Sequence, residues 1–289
     1  MLLNHEKIWI AGALGQVGSA FSQMLDRTAI DLLLTDIDDV DITDMDAVRT
    51  YADMNRPDII INCAGVSGIG FCQENRDLAY RVNAIGARNL SVAARSVRAE
   101  LVHIFIDDIF DGKADEPYDE FSPASPATVY GRSKLAGEDF VRTIAPKYLI
   151  IRSSWVYGNG QNFVTDLLAH AKEGKTFLVP EGQIAAPTSA VEVARIIDRL
   201  LSNDVYGTYH AVCTGHCSRL EFAQKILELS GLDTELVSCA VTETGRPSYS
   251  VLDNLMLRLN DIQLPVSWEK ALDEYLRSEG FHKECKEVR

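Results

Sequence analysis

The chain has 289 residues, of which 46% are hydrophobic and 24% charged, an ordinary globular composition long enough to bury a large core. A formal net charge of −14 argues against nucleic acid or an anionic membrane surface as a partner. No apolar run nears the ~20 residues that span a bilayer, and the N-terminus lacks a basic stretch followed by an apolar one, so a cytoplasmic protein is expected.

The first predicted strand, residues 7–11, runs into glycines spaced three apart, Gly12, Gly15 and Gly18. Gly12 suits a tight turn, Gly15 lets the main chain approach a pyrophosphate, and Gly18 lets the next helix lie close to the strand. That helix would offer free N–H groups and its positive dipole end to phosphates. Leu14, Gln16 and Val17 stand among these glycines and join them as expected cofactor contacts. A second apolar run ends at Thr35-Asp36, close to the ~20 residues beyond the glycines where a carboxylate holds an adenosine ribose. A carboxylate there repels a 2′-phosphate, so NAD(H) is favoured and NADP(H) is the alternative.

Apolar runs at 7–11, 30–35, 58–63, 101–106 and 148–152 alternate with helical patterns near 16–26, 44–54, 77–97 and 131–144. This predicts an α/β fold, a Rossmann-type doubly wound parallel sheet with helices on both faces. Beyond residue 158 a helix is expected at 162–173, a strand at 176–180, a helix opening at Pro187 and running to Leu201, and a strand at 207–212 that could rejoin the sheet. The expected division is residues 1–158, rejoined by 187–212, for dinucleotide binding. Residues 159–186 and 213–289 would form a smaller, interleaved substrate-binding domain. The polar stretch 280–289 is expected to fray.

Tyr130 and Lys134 form a Tyr-x-x-x-Lys pair at the start of a helical segment, which puts both side chains on one face, a turn apart. An ammonium beside the phenol would pull its pKa below the usual value of about 10, so that Tyr130 could exchange a proton with a carbonyl or alcohol oxygen. The lysine could also bond nicotinamide ribose hydroxyls. His210, Cys213, His216 and Cys217 lie close in sequence, but an apparent strand and a helical segment divide them. Six irregularly spaced cysteines therefore read as reduced thiols, without metal.

The chain resembles the extended short-chain dehydrogenase/reductases, and within them the dTDP-4-dehydrorhamnose reductase family. The matching segments are Gly12-x-x-Gly15-Gln-Val-Gly18, Asp41-Ile-Thr-Asp44, Arg56-Pro-Asp-Ile-Ile-Ile-Asn62, Tyr80-x-Val-Asn83-Ala and Phe110-Asp-Gly112. They continue with Val129-Tyr-Gly-x-x-Lys134-Leu-Ala-Gly-Glu138, Arg152-Ser-Ser-Trp-Val-Tyr-Gly158, Asn162-Phe163, Ala186-Pro-Thr188 and Arg246-Pro-x-Tyr-Ser-Val-Leu-Asp-Asn254. The resemblance implies reduction of the 4-keto group of a nucleotide-linked deoxysugar, with Tyr130 supplying the proton. It implies cofactor contacts at Asp41, Ile42, Cys63, Ala64 and Gly65, and substrate contacts at Asp107, Trp155, Gln183 and Arg246. A core role for Trp155 and a solvated one for Arg246 remain as alternatives.

The chain also departs from that family's pattern. The family carries Ser or Thr in a segment like Ser-Thr-Asp-Tyr-Val-Phe-Asp-Gly, where this chain reads Phe105-Ile-Asp-Asp-Ile-Phe-Asp-Gly112. Ile106 takes the place of the hydroxyl residue and Asp108 that of a tyrosine. A lost donor to a developing oxyanion costs ~10²–10³ in rate. Val66, Gly70 and Gln73 replace an aromatic, an Asp and a Glu of the family, and Ser67 remains as a hydroxyl in that loop. Ala20 stands where some relatives have the Glu of a metal-bridged dimer, so no metal and a monomer or weak dimer are expected. Three readings stay open: a reductase with weakened hydroxyl assistance; a regulatory or scaffolding protein that binds cofactor and sugar nucleotide, as the regulatory subunit of methionine adenosyltransferase uses this fold; and a nucleotide-sugar epimerase holding NAD tightly.

Overall fold

A computed structural model of the chain describes residues 6–25, 30–240 and 245–281. The expected frayed end lies, from residue 282 on, outside the described residues. In chain order the first elements are β1 (Lys7–Ala11), α1 (Gln16–Met24), β2 (Asp31–Thr35), α2 (Met45–Asn55), β3 (Ile59–Asn62), α3 (Ile69–Glu74) and α4 (Arg76–Tyr80). A π-helical turn (Arg81–Gly86) leads into α5 (Ala87–Val97), β4 (Glu100–Ile106), α6 (Val129–Ile144) and β5 (Tyr148–Ser153). Then come β6 (Val156–Tyr157), α7 (Phe163–Lys172), β7 (Phe177–Pro180), β8 (Ile184–Ala185), β9 (Thr188–Ser189), α8 (Ala190–Ser202) and β10 (Gly207–His210). The last are β11 (Cys217–Ser218), α9 (Arg219–Ser230), β12 (Leu236–Cys239), α10 (Leu255–Leu259) and α11 (Trp268–Ser278).

The main sheet is parallel, in the order β10-β5-β4-β3-β1-β2. The inner strands β1 and β3 read as apolar runs, Ile8–Ala11 and Ile59–Ile61, because both of their faces are covered. Along β1, Ile8 and Ile10 enter one apolar cluster with Phe21 of α1 and Ile197 of α8. Trp9 and Ala11 enter another, with Leu90 of α5 and Val141 of α6. The strand order reverses at β1, with β2 on one side and β3 on the other, and ligands of such sheets gather at the carboxyl ends beside that point. β10 pairs with β5, from Gly207 opposite Leu149 to His210 opposite Arg152.

A third apolar cluster joins α7, α9 and α11, with Leu167, Phe222 and Leu272 at its centre. Three two-stranded pairings accompany it: β7 with β12, β8 with β11 and β6 with β9. Two local expectations are corrected. Residues 77–97 are not one helix, because the π turn 81–86 interrupts them. The helix after Pro187 starts at Ala190, since Thr188 and Ser189 pair with β6 and the Ser189 hydroxyl then caps α8 through Glu192 N–H. Among the described residues no helix is long and apolar enough to cross a membrane.

Candidate active site

The glycine turn connects three strands at their carboxyl ends. Gly12 has φ +79°, and a Cβ there would meet Ala64 N at 2.6 Å, so only glycine lets the chain turn against the end of β3. A Cβ on Gly18 would lie 2.3 Å from Gly12 O, which brings α1 onto the turn. Gly15 is the N-cap of α1, with no side-chain cap and no acidic residue in the first turn. The first N–H groups of the helix stay available to a phosphate. Asp36, at the end of β2, accepts Leu14 N–H at 3.2 Å and Ile37 N–H at 2.9 Å. It stands beside the turn, where a ribose edge fits. The open Gly15 face, free helix N-terminus and flanking carboxylate together fit a dinucleotide. Asp41 accepts Thr43 N–H. The side chain of Ile42 packs inward, against the place where a Gly86 Cβ would stand.

Beyond β3, Asn62 accepts Ala64 N–H, and Asn83 in the π turn accepts Val66 N–H and donates to Val66 O and Ser133 Oγ. A Cβ on Gly137 would meet Asn83 O at 2.2 Å, so α6 and the π turn are in direct contact. The loop that starts at Gly65 is thereby fixed against the helix carrying Tyr130 and Lys134. That helix begins at Thr128, whose hydroxyl accepts Gly131 N–H.

A cavity of about 830 Å³ opens here. Its wall includes Gln16, Val17, Cys63, Gly65, Tyr130 and Lys134. All four expected substrate contacts, Asp107, Trp155, Gln183 and Arg246, line it as well. Gly12, Leu14, Gly15, Asp36, Asp41, Ile42 and Ala64 lie outside this lining. Ser67 and Ile106 both line the cavity, and Ile106 also packs against the apolar cluster of Cys72, Ala79, Val129 and Tyr130. Position 106 thus presents an aliphatic side chain, with no donor, to the cavity.

The electrostatics correct one expectation. Burial pushes the Tyr130 phenol above its ordinary value, and the Asp108 carboxylate pushes it further the same way. The ammonium of Lys134 donates to Ile104 O at 3.1 Å and lies 5.6 Å from the Phe105 ring centroid. Burial lowers that ammonium to about 8. Tyr130 therefore rests as a neutral phenol at physiological pH, the protonation state from which a proton can be given to a developing alkoxide, a stronger base than the phenolate. The Cys63 thiol, pushed up to about 12 by burial, is inert as a nucleophile.

Sequence reasoning missed Arg219, at the start of α9. It is buried, its guanidinium carbon lies 3.3 Å from the centre of the Trp155 ring and 4.7 Å from that of Phe163, and its backbone N–H donates to Gln183 O. Trp155 is held at φ 41°, an uncommon conformation for a large side chain. Arg219, Arg246 and Lys134 line the cavity with Asp107 and Asp108, a local excess of positive charge in an acidic chain. Asp107 is committed, accepting Ser154 Oγ at 2.8 Å and Ser250 Oγ at 2.6 Å. His210 is buried with its ring against Asp253 O and Arg152. Among the described residues no group of His, Cys, Asp and Glu is arranged to hold a metal ion.

The family model "RmlD substrate binding domain" matches residues 6–280. The chain belongs to that family. It is 36% identical to the spore coat polysaccharide biosynthesis protein SpsK of Bacillus subtilis, over 94% of this chain and 97% of that one. The dTDP-4-dehydrorhamnose reductase of Clostridium acetobutylicum superposes with a TM-score of 0.91 at 40% identity, covering 95% of this chain and 99% of that one. The same enzyme of Bacillus anthracis, solved in complex with NADP, gives 0.92 at 38% identity over the same shares. Family membership makes the chain a Rossmann-fold, NAD(P)-dependent oxidoreductase.

Proposed function

We propose that the chain reduces the 4-keto group of a nucleotide-linked deoxysugar, dTDP-4-dehydrorhamnose to dTDP-rhamnose being the first candidate. The observation that carries the reading is that Tyr130 and Lys134 line one cavity together with Gly65, from the loop after β3, and with Trp155, Arg219 and Arg246. A bound reduced nicotinamide supplies a hydride to the carbonyl carbon. Tyr130, kept protonated by burial, gives its proton to the carbonyl oxygen. The Lys134 ammonium, held by Ile104 O in the same cavity lining, supplies the positive charge on the side of the ribose and the phenol. Trp155 packs on the sugar, and the planar forks of Arg246 and Arg219 suit diphosphate oxygens.

In the same proposal, residues 1–158 with 187–212 carry the cofactor and residues 159–186 with 213–289 the sugar nucleotide. The third apolar cluster, which draws on α7, α9 and α11, supports that division. Asp36 favours NADH, while the NADP complex of the B. anthracis relative makes NADPH the necessary comparison. A cytoplasmic monomer or weak dimer completes the reading.

An aliphatic Ile106 in the cavity wall, where the family carries a hydroxyl, favours a second reading, a cofactor-binding regulatory or scaffolding protein with little turnover. One assay separates the two. Purified protein is mixed with dTDP-4-keto-6-deoxy-L-mannose and either reduced cofactor, and nicotinamide absorbance is followed. Oxidation that Tyr130→Phe abolishes supports the reductase; intact cofactor binding without oxidation supports the second reading.

A further inference from the structure

Asp108 is a buried acidic group of the cavity whose side-chain partner, Arg246, stands at long range. Its side chain is 5% exposed, it follows β4 directly, and it lines the same cavity as Tyr130. Arg246 approaches from the 246–254 segment at 3.4 Å from Nε to Oδ1 and 3.5 Å from Nη2 to Oδ2, both long for a charge-assisted contact. Oδ1 is buried without a hydrogen bond. Its neighbour Asp107 receives two serine hydroxyls, both on Oδ2. A Cβ on Gly131, the residue after Tyr130, would lie 2.2 Å from Asp108 O, so Asp108 is seated against the first turn of the Tyr130 helix and both residues line one cavity. Ile106, in the same lining, provides no donor.

We infer that Asp108 is a substrate-contacting residue, a carboxylic acid that donates a hydrogen bond to the reacting oxygen of the sugar in place of the hydroxyl absent at Ile106. The inference rests on the reductase reading. The acid keeps its proton: the hydride goes to carbon, the transferred proton comes from Tyr130, and the O–H of Asp108 stabilises the charge that develops on oxygen.

An ionised carboxylate there would repel that charge. The groups facing Asp108 are Arg246, Arg219 from α9, Asp107 and Tyr130 from α6, and the two arginines favour its ionised form. Burial and Asp107 oppose them and bring the carboxyl up from 3.8 to about 6. Reduction should therefore be fastest below about pH 6 and fall as the pH rises through that value.

The test measures kcat and kcat/KM against pH for the whole protein, Asp108→Asn and Asp108→Ala, alongside cofactor affinity and the infrared carboxylic-acid band of the cofactor-free protein. The amide of Asp108→Asn still donates but does not titrate, so it should keep substantial turnover and lose the alkaline fall. Asp108→Ala should lose about 10² in kcat, the typical loss of one oxyanion donor, with cofactor affinity unchanged. The wild-type minus Asp108→Asn infrared difference should hold a carboxylic-acid band that disappears as the pH rises through about 6, the band of Glu100, raised to about 7, cancelling because both proteins carry it. An active wild-type protein with a flat pH profile, or a wild-type alkaline fall that persists in Asp108→Asn, overturns the inference and leaves the reductase reading standing. So does wild-type kcat in Asp108→Ala. No reduction by wild-type protein that binds cofactor overturns both.

Discussion

The guanidinium carbon of Arg219 lies over the indole of Trp155, 3.3 Å from the ring centre, and 4.7 Å from the ring centre of Phe163. Burial and the nearby charge of Arg246 lower Arg219 to about 9, so it remains a cation at neutral pH. A buried cation packed against two rings is held in place and pre-oriented for an anionic ligand. Arg219→Leu should raise KM for the nucleotide sugar about ten- to hundredfold, the size of one charge-assisted contact of about 1.5–3 kcal/mol. Cofactor affinity should not change, and Trp155 fluorescence should shift. An unaltered KM would show that the stack only packs α9 against β6.

At the opposite end of the site, Asp36 accepts two backbone N–H groups and is half-buried. A 2′-phosphate beside it meets like charge, worth roughly 1–4 kcal/mol at an intermediate dielectric. Asp36→Ser should shift the NADPH-to-NADH ratio of kcat/KM towards NADPH by about an order of magnitude or more. Steady-state kinetics with both cofactors measure it. A ratio that does not move would place the 2′-hydroxyl away from this carboxylate.

Strands covered on both faces are apolar throughout, which is why the runs at 7–11, 101–106 and 148–152 meet strands Lys7–Ala11, Glu100–Ile106 and Tyr148–Ser153 almost residue for residue. The glycine turn was equally legible, because the needs of Gly12 and Gly18 are local. The π turn was not. Six residues of altered helical period are invisible within a window that averages over a longer stretch. Helix α3, with glycines beside and within it, reads as loop by propensity and is held by its surroundings instead. Arg219 carried no signal, since an arginine at the first position of a helix reads as solvated. Only the folded chain brings Trp155 and Phe163 onto it. The protonation of Tyr130 was misread because spacing gives the position of Lys134 relative to the phenol but not the burial or the carboxylate that outweigh it.

Lys134 is buried, with its ammonium lowered from 10.5 to about 8, so holding this charge in the fold costs stability. Below pH 8 both states carry the proton and the penalty is complete. Between about 8 and 10.5 the unfolded chain binds more protons than the folded one, and stability rises with pH. Lys134→Met should therefore unfold at a higher temperature than the wild-type protein near neutral pH, with the gain shrinking to nothing as the pH passes 10.5. The same variant should lose reductase activity, an exchange of stability against function. Thermal unfolding across that pH range is the measurement, and a Tm equal to or below the wild-type value at neutral pH would contradict the assigned cost.

The helix that carries Tyr130 and Lys134 is tied to the sheet by a buried carboxylate. Glu138 is 1% exposed and receives Arg152 of β5 twice, from Nε at 3.1 Å and Nη2 at 2.6 Å. Arg142, one turn along the same helix, adds a 2.6 Å contact. Arg152 itself is 3% exposed, with its remaining nitrogen facing His210 and its guanidinium carbon 5.7 Å from the Phe110 ring centre. Removing the carboxylate leaves a buried cation without its counter-charge, a loss of about 3–5 kcal/mol. Glu138→Leu should lower the free energy of unfolding in urea by that amount, whereas Arg142→Ala, which removes only the half-exposed partner, should cost about 1 kcal/mol or less. If activity follows the helix, Glu138→Leu should also lower kcat in the fraction that stays folded, because α6 then lacks its fixed seat on β5. Equal losses for the two variants would mean that Arg152 finds another partner and that the pair does not set the position of the helix.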